Sequence, residues 1–390
     1  MRFSTNPLLA ATEAPPIPEV QSWAALRSPD SLPIIDLLQA VPGYPPDSSL
    51  VAHVAEKVAD LGVSRYTPIA GTAELRNALA ADIEAVYGGS VAADQVCITA
   101  GCNQAFYAAI IALAKAGDNI ILPTPYYFNH KMTLDMLGLQ VRHLPTRQTN
   151  GFVPDPDEAA ALVDAHTRAL VLVTPNNPTG AVYPPDTIEK FFDLAARRHI
   201  ALILDETYRD FLPVGQPRAH GLFLRPDWHG TLIHLYSFSK AYSLAGYRVG
   251  AMTASTRFVA EILKIMDCLI ICAPHIAQIA ARFGVENLAA WRRQKRALMA
   301  GRMEAFRQSM AVHASQWVIG SIGAYFAYLR HPFADWDSIQ AARRLAGAPG
   351  LLCLPGSAFG PGQERFLRAA FANIDASQMP EIAHRLGSCP

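Results

Sequence analysis

Leu232-Ile233-His234-Leu235-Tyr236-Ser237-Phe238-Ser239-Lys240 is an apolar run that passes into a serine-rich turn carrying a lysine, and Arg248 follows eight positions later between Gly246 and Gly250. The run reads as a strand buried on both faces. A lysine near a strand end is ordinarily a surface charge. Lys240, however, falls where an open α/β sheet holds its ligands, outside the carboxyl ends of the strands. A lysine partly desolvated there has a lowered pKa and attacks an aldehyde.

Working outward, similar apolar runs recur at 96–99, 119–123, 169–174, 200–204, 231–236 and 249–253. Helical patterns fall between them at 103–114 and at 186–198, the second opened by Asp186 with Glu189 three residues on, a capping arrangement. Strand and helix in alternation imply an α/β fold with a mostly parallel sheet. After about Phe283 the pattern changes. A long helical stretch through Trp291 and Met303 leads to a strand at 324–330, a helix at 337–346, strands near 351–354 and 366–371, and a last helix near 379–386. The reading is a large domain over 51–285, a smaller α+β domain over 286–390, and an N-terminal segment, 1–50, packing on the smaller one.

The chain has 390 residues, enough for a large core, and 33 basic against 33 acidic residues, a formal net charge of +0. No basic excess exists to neutralise a phosphate backbone, so nucleic acid is not an expected partner, and a DNA-binding regulator lacks its basic module. The start, with Pro15, Pro16 and Pro18, reads as neither signal peptide nor membrane anchor. No apolar stretch reaches spanning length, so no membrane partner is expected. The 6 cysteines show no metal-ligand spacing. They read as buried thiols of a cytoplasmic protein, and no metal is expected.

Three further segments bring chemistry to Lys240. Thr99-Ala100-Gly101-Cys102-Asn103-Gln104-Ala105 is strand, glycine and helix start, which offers backbone N–H groups to an anion. Ser237, Ser239 and Arg248 add hydroxyls and a guanidinium, the donors a dianionic phosphate takes. Asp205, in Asp205-Glu206-Thr207-Tyr208, ends an apolar strand. Such a carboxylate is a helix cap, a surface charge or the partner of a protonated pyridine nitrogen. Tyr208 and Asn177 then reach the ring hydroxyl, Asn177 held in the turn Pro175-Asn176-Asn177-Pro178-Thr179-Gly180, where it is also an ordinary turn residue. One tyrosine of Pro125-Tyr126-Tyr127 stacks on the ring face. Amine, anion clamp, amide and carboxylate in this order are what holds pyridoxal 5'-phosphate as a Schiff base and uses it as an electron sink.

Together these motifs resemble the class I/II pyridoxal-phosphate-dependent aminotransferases, the aspartate-aminotransferase-like proteins of fold type I. The likeness runs from Tyr66-Thr67-Pro68-Ile69-Ala70-Gly71 to Pro355-Gly356-Ser357-Ala358-Phe359-Gly360 and Arg368. It implies a seven-stranded, mostly parallel sheet in the large domain and a homodimer with shared active sites. It places the substrate-carboxylate arginine at Arg368, a phosphate-binding tyrosine given to the partner subunit at Tyr66, and the stacking ring at Tyr127 rather than Tyr126. Ala40 stands where the family usually has glycine beside the substrate carboxylate, and Cys102-Asn103-Gln104 replaces a hydroxyl residue in the phosphate loop. The implied reaction moves an amino group from an L-amino acid to a 2-oxo acid with ping-pong kinetics, Lys240 shuttling the Cα proton. A β-lyase, a decarboxylase or an oxidase would use the same Lys240 and Asp205. Tyr44, Tyr126 and Phe359 are read as aromatic neighbours of the side-chain pocket or as plain packing.

Overall fold

The computed structural model describes residues 3–26 and 31–389. Met1, Arg2, residues 27–30 and Pro390, which fall in the segments read as 1–50 and 286–390, lie outside the described residues. The apolar runs form β1 (Val96–Thr99), β2 (Asn119–Thr124), β3 (Gln140–Pro145), β4 (Thr167–Val173), β5 (Ala201–Asp205), β6 (Leu232–Ser237) and β7 (Gly250–Thr253). They pair in the order β1-β7-β6-β5-β4-β2-β3. All run parallel except β7, which is antiparallel to both β1 and β6. β1, β2, β5, β6 and β7 are buried along their whole length or nearly so, because helices cover both faces. The antiparallel return from β6 to β7 keeps segment 238–249 at the carboxyl end of the sheet, with Lys240 in its first turn.

A second sheet holds β8 (Val318–Gly323), β9 (Phe326–Arg330), β10 (Leu354–Pro355) and β11 (Phe366–Ala370), antiparallel in the order β10-β11-β9-β8. Ile35–Asp36 pairs in parallel with Leu351–Leu352 beside it. The Pro16–Trp23 helix rests on the Ser338–Ala346 helix, burying Val20 and Trp23, with the Arg343 guanidinium 5.1 Å from the Trp23 ring. The long Ala289–His313 helix ties both sheets together. Arg292 pairs with Asp82 (2.7 Å) and Asp210 (3.1 Å), and Arg302 bonds to the Ala372 carbonyl and to Asp375.

Four expectations need correction or addition. The 186–198 helix starts at Pro185, and Asp186 lies in its first turn without capping it. The N-cap position is Pro184, which has no side-chain oxygen to accept from the first amides, and Asp186, already inside the first turn, contributes only its charge to the dipole. Strand β3 carries polar, half-exposed residues, β8 is half-exposed and interrupted by Gly320, Ser321 and Gly323, and neither was anticipated. Cys268 is exposed and Cys272 half-buried, where buried thiols were expected; Cys268 sits at the outward end of the Thr256–Ile270 helix with exposed Leu269. Among the described residues no helix is long and apolar enough to cross a membrane.

Candidate active site

The carboxyl ends of β4, β5 and β6 lie side by side, Val173 opposite Asp205 and Asp205 opposite Leu235. Over them opens a cavity of about 330 Å³. Of the residues anticipated from sequence, Lys240, Asp205, Tyr208, Asn177, Tyr127, Cys102, Asn103, Ser237, Ser239, Arg248, Ala40 and Arg368 all line it. Gly101 and Tyr66 do not. Gly101 caps the Cys102–Leu113 helix at φ +86, a conformation that favours glycine, and a Cβ there would come 2.3 Å from an Arg248 guanidinium nitrogen. Gly250 has the same role from the other side, where a Cβ would meet the Cys102 amide at 2.8 Å. The close packing brings Arg248 against a helix N-terminus, and Ser237 and Ser239 follow at the end of β6. Tyr66 is 78% exposed and does not line this chain's own cavity.

In the same cavity, Asp205 is buried yet ionised. Its Oδ1 accepts from the Thr207 amide at 2.9 Å, and His130 Nε2 lies 3.4 Å from Oδ2. Burial pushes the carboxyl up, but His130 and Thr207 outweigh it and hold the pKa below the usual range. The His130 ring is stacked on Phe106, centroids 3.9 Å apart, and Tyr127 meets it edge-on. Burial pushes the Cys102 thiol well up, with the Asp205 charge adding to it, so this residue stays a neutral wall.

Lys240 Nζ donates to the Ala40 carbonyl at 2.5 Å. Burial, with the Arg368 and Arg248 charges, pushes its pKa down to about 8. Arg368 enters from the middle of β11, 2% exposed, with the Phe326 and Phe359 rings 5.0 and 5.3 Å from its guanidinium carbon. It donates to Asn177 Oδ1 at 2.9 Å and to the Leu38 carbonyl, and its buried Nε has no partner. Because Asn177 Oδ1 is engaged, the amide nitrogen is its remaining donor. Burial pushes Arg368 down to about 10, which still leaves it charged at neutral pH.

The model of the aminotransferase class I and II family matches residues 34–386. The chain belongs to this family. It is a pyridoxal-phosphate-dependent aminotransferase. Similar relatives are an aromatic aminotransferase of Arabidopsis thaliana, 29% identical over 96% of this chain and 93% of that one, and an aspartate aminotransferase of Pyrococcus horikoshii, 25% identical over 83% and 82%. The solved aspartate aminotransferase of Thermus thermophilus with maleate superposes along the full length of both chains with a TM-score of 0.91 at 24% identity, a likeness of fold. The cavity's donor set fits the family's cofactor. A guanidinium, two hydroxyls and a helix N-terminus line it together with an ionised carboxylate and an amine of lowered pKa.

Seven lining or supporting residues escaped the sequence, Gln39, Val173 and Thr207 among them as plain neighbours of residues that were singled out. Ile17, Val41 and Phe128 carry no motif, being single apolar residues among many. His130 stands 75 positions from Asp205, and only a buried histidine after Tyr127 hinted at it. Tyr44, Tyr126 and Phe359 do not line the cavity. Tyr44 packs on Trp291, Tyr126 stacks near His143, and Phe359 lies behind Arg368.

Proposed function

We propose that this aminotransferase works through Lys240, Asp205 and Arg368, moving an amino group from an L-amino acid to a 2-oxo acid in two half-reactions. The observation that carries this reading is the placement of one amine, one ionised carboxylate and one buried arginine on a single cavity. Lys240 Nζ, with its pKa lowered to about 8, has a substantial uncharged fraction near neutral pH and serves as nucleophile. Once free, the same nitrogen takes the proton from the substrate Cα and passes it on. When bound, pyridoxal 5'-phosphate supplies the aldehyde that condenses with amines and a ring that takes up the electron pair left at Cα. Asp205 keeps a negative charge on the cavity, and His130 holds its carboxylate in place. Arg248, Ser237, Ser239 and the amides after Gly101 bind the phosphate, with Cys102 and Asn103 the first residues of that helix. Tyr127 would pack on the ring, and Tyr208 and Asn177 would donate to its hydroxyl. Arg368 takes the α-carboxylate, its unpartnered Nε and its fork matching the two oxygens. The Ala40 backbone borders the same space.

Two copies of the chain complete the assembly in this reading, each lending its exposed Tyr66 to the other's phosphate. The large domain spans 51–285 and the small one 286–390, with 1–50 on the latter, and six free thiols suit a cytoplasmic setting. Borohydride reduction of the cofactor-loaded protein, followed by peptide mass analysis, should place the adduct on Lys240, alongside amino transfer between an L-amino acid and a 2-oxo acid. An adduct on another lysine, or its absence, would overturn the assignment.

A further inference from the structure

The geometry points to a second ligand site, an anion-binding groove at the opposite end of the main sheet from Lys240, which takes the phosphate monoester of a small molecule with an apolar body. It is independent of the reading given to the cavity at Lys240. Near the amino ends of β4, β5 and β6, Ala169 lies opposite Ala201 and Leu202 opposite Leu232. β7 runs the other way and delivers Ala254 and Ser255 to the same edge. A groove of about 550 Å³ opens there.

Its lining carries more positive groups than the fold uses. Asp164 is engaged by Arg142 and by Asn119 Nδ2 at 2.8 Å, and Arg168 by Asp118 at 2.9 Å, so these two lining charges are balanced. Arg198, His199 and His229 are not. Among the described residues no hydrogen bond or ion pair engages their side chains. Asp227, close to His229 in sequence, is paired with Arg225 at 3.1 Å and does not line the groove. A cation in the last turn of a helix offsets its dipole, and the Pro185–Arg198 helix ends with two. Arg197 serves the dipole without lining the groove, whereas Arg198 lines it.

The backbone agrees. His199 closes that helix in the left-handed region, φ +54, where glycine is the unstrained choice. Here the strained position puts an imidazole on the groove. Donors therefore come from two elements: Arg198 and His199 at the helix end, and His229 with the Thr231 hydroxyl in the turn before β6. The three terminal oxygens of a phosphate ester accept from separate directions and suit an arginine fork, while the two of a carboxylate lie in one plane. Beside these donors the lining is apolar, with Leu113, Ile233 and Phe258, the last from the first turn of the Thr256–Ile270 helix. An apolar body attached to the phosphate packs there.

Calorimetry with the cofactor-loaded protein, whose own phosphate position is filled, tests this with phenyl phosphate, inorganic phosphate and benzoate. Phenyl phosphate should bind once per chain with a dissociation constant below about 1 mM. It should bind about tenfold tighter than inorganic phosphate, for the apolar area it buries, and about tenfold tighter than benzoate, for its charge and extra acceptors. Arg198→Ala should weaken it about tenfold or more, with turnover and thermal midpoint unchanged. His199→Gly should weaken it too while keeping or raising the thermal midpoint, because the strain is relieved. A purely structural role for His199 would move stability and leave binding alone. Phe258→Ala should bring phenyl phosphate down to the affinity of inorganic phosphate. No binding of phenyl phosphate, benzoate bound as tightly, or affinities indifferent to Arg198→Ala and His199→Gly would overturn the proposal. So would binding that alters the cofactor's visible absorbance, which would put the probe in the active site instead.

Discussion

Asp205 and Glu206 are neighbours in sequence, both buried and both ionised below the usual carboxylate range, yet they face different surroundings. Glu206 is enclosed. Its Oε2 takes the Tyr87 hydroxyl, His220 Nε2 at 3.1 Å and His234 Nε2 at 2.8 Å. Burial raises its pKa, but His220 and His234 more than reverse that. Asp205 has donors on one side only, the Thr207 amide and His130, and borders the cavity on the other. A buried carboxylate whose donors come from the fold serves stability, while one that keeps a face on a cavity is available to a ligand. A cavity-facing and an enclosed carboxylate are separated here by a single peptide bond.

That contrast breaks most easily at Asp205. Asp205→Asn removes the charge while keeping shape, and turnover should fall about 10²–10³-fold, the scale for losing one preorganised electrostatic group. The thermal midpoint should move little by comparison. Steady-state kinetics beside a melting curve decide it, and a variant with full rate would show that the cavity-side charge has no part in the chemistry.

Glu206→Gln tests the other side. Leaving two imidazoles and a buried phenol without their anion should destabilise the protein by about 3 kcal/mol, the range for breaking a buried pair. Activity of the molecules that remain folded should be nearly kept. The sign with pH follows from the lowered pKa. The carboxylate's contribution is fully present above the unfolded-state value and is lost as pH falls through the folded one. Denaturant midpoints from pH 7 downward should therefore drop more steeply in the wild type than in the variant. Parallel curves would assign Glu206 no such role.

The two carboxylates were not equally legible in the sequence. Asp205 ends an apolar run and keeps fixed company with Lys240 and Arg248, so its place on the cavity was readable. Glu206 depends on Tyr87, His220 and His234, which come from a distant helix, a loop and β6 and share no spacing. The strands divide in the same way. Those in the interior of the main sheet announced themselves as continuous apolar runs. β3 and β8 lie at sheet edges, where one side lacks a neighbouring strand; in β3 Gln140, Arg142 and His143 concealed a strand, and in β8 Gly320 and Gly323 broke the run. The Pro16–Trp23 helix carries Ile17 to the cavity through tertiary packing alone. Local pattern records what a segment buries, and says little about which distant segment it meets.

The smallest expected effect sharpens the contrast furthest, since it asks whether each carboxylate is sensed by Lys240. In the cofactor-free protein the lysine's pKa is lowered to about 8 chiefly by burial, then by Arg368 and Arg248, with the Asp205 charge acting in the opposite direction. Only the uncharged amine attacks an aldehyde, so cofactor capture should speed up with pH and level off above about 8. Between pH 7 and 9 the gain should be about tenfold, as the neutral fraction follows the titration. Asp205→Asn removes an anion that stabilises the ammonium form, so its capture profile should shift to lower pH. Glu206→Gln should leave the midpoint where it is, because that charge is balanced by its own donors and is not among the influences on the amine. Stopped-flow absorbance at a series of pH values measures both. A midpoint that moves equally in the two variants would mean that Lys240 senses both charges alike, and the division between a ligand-facing and a fold-facing carboxylate would fail at the nitrogen where it matters most.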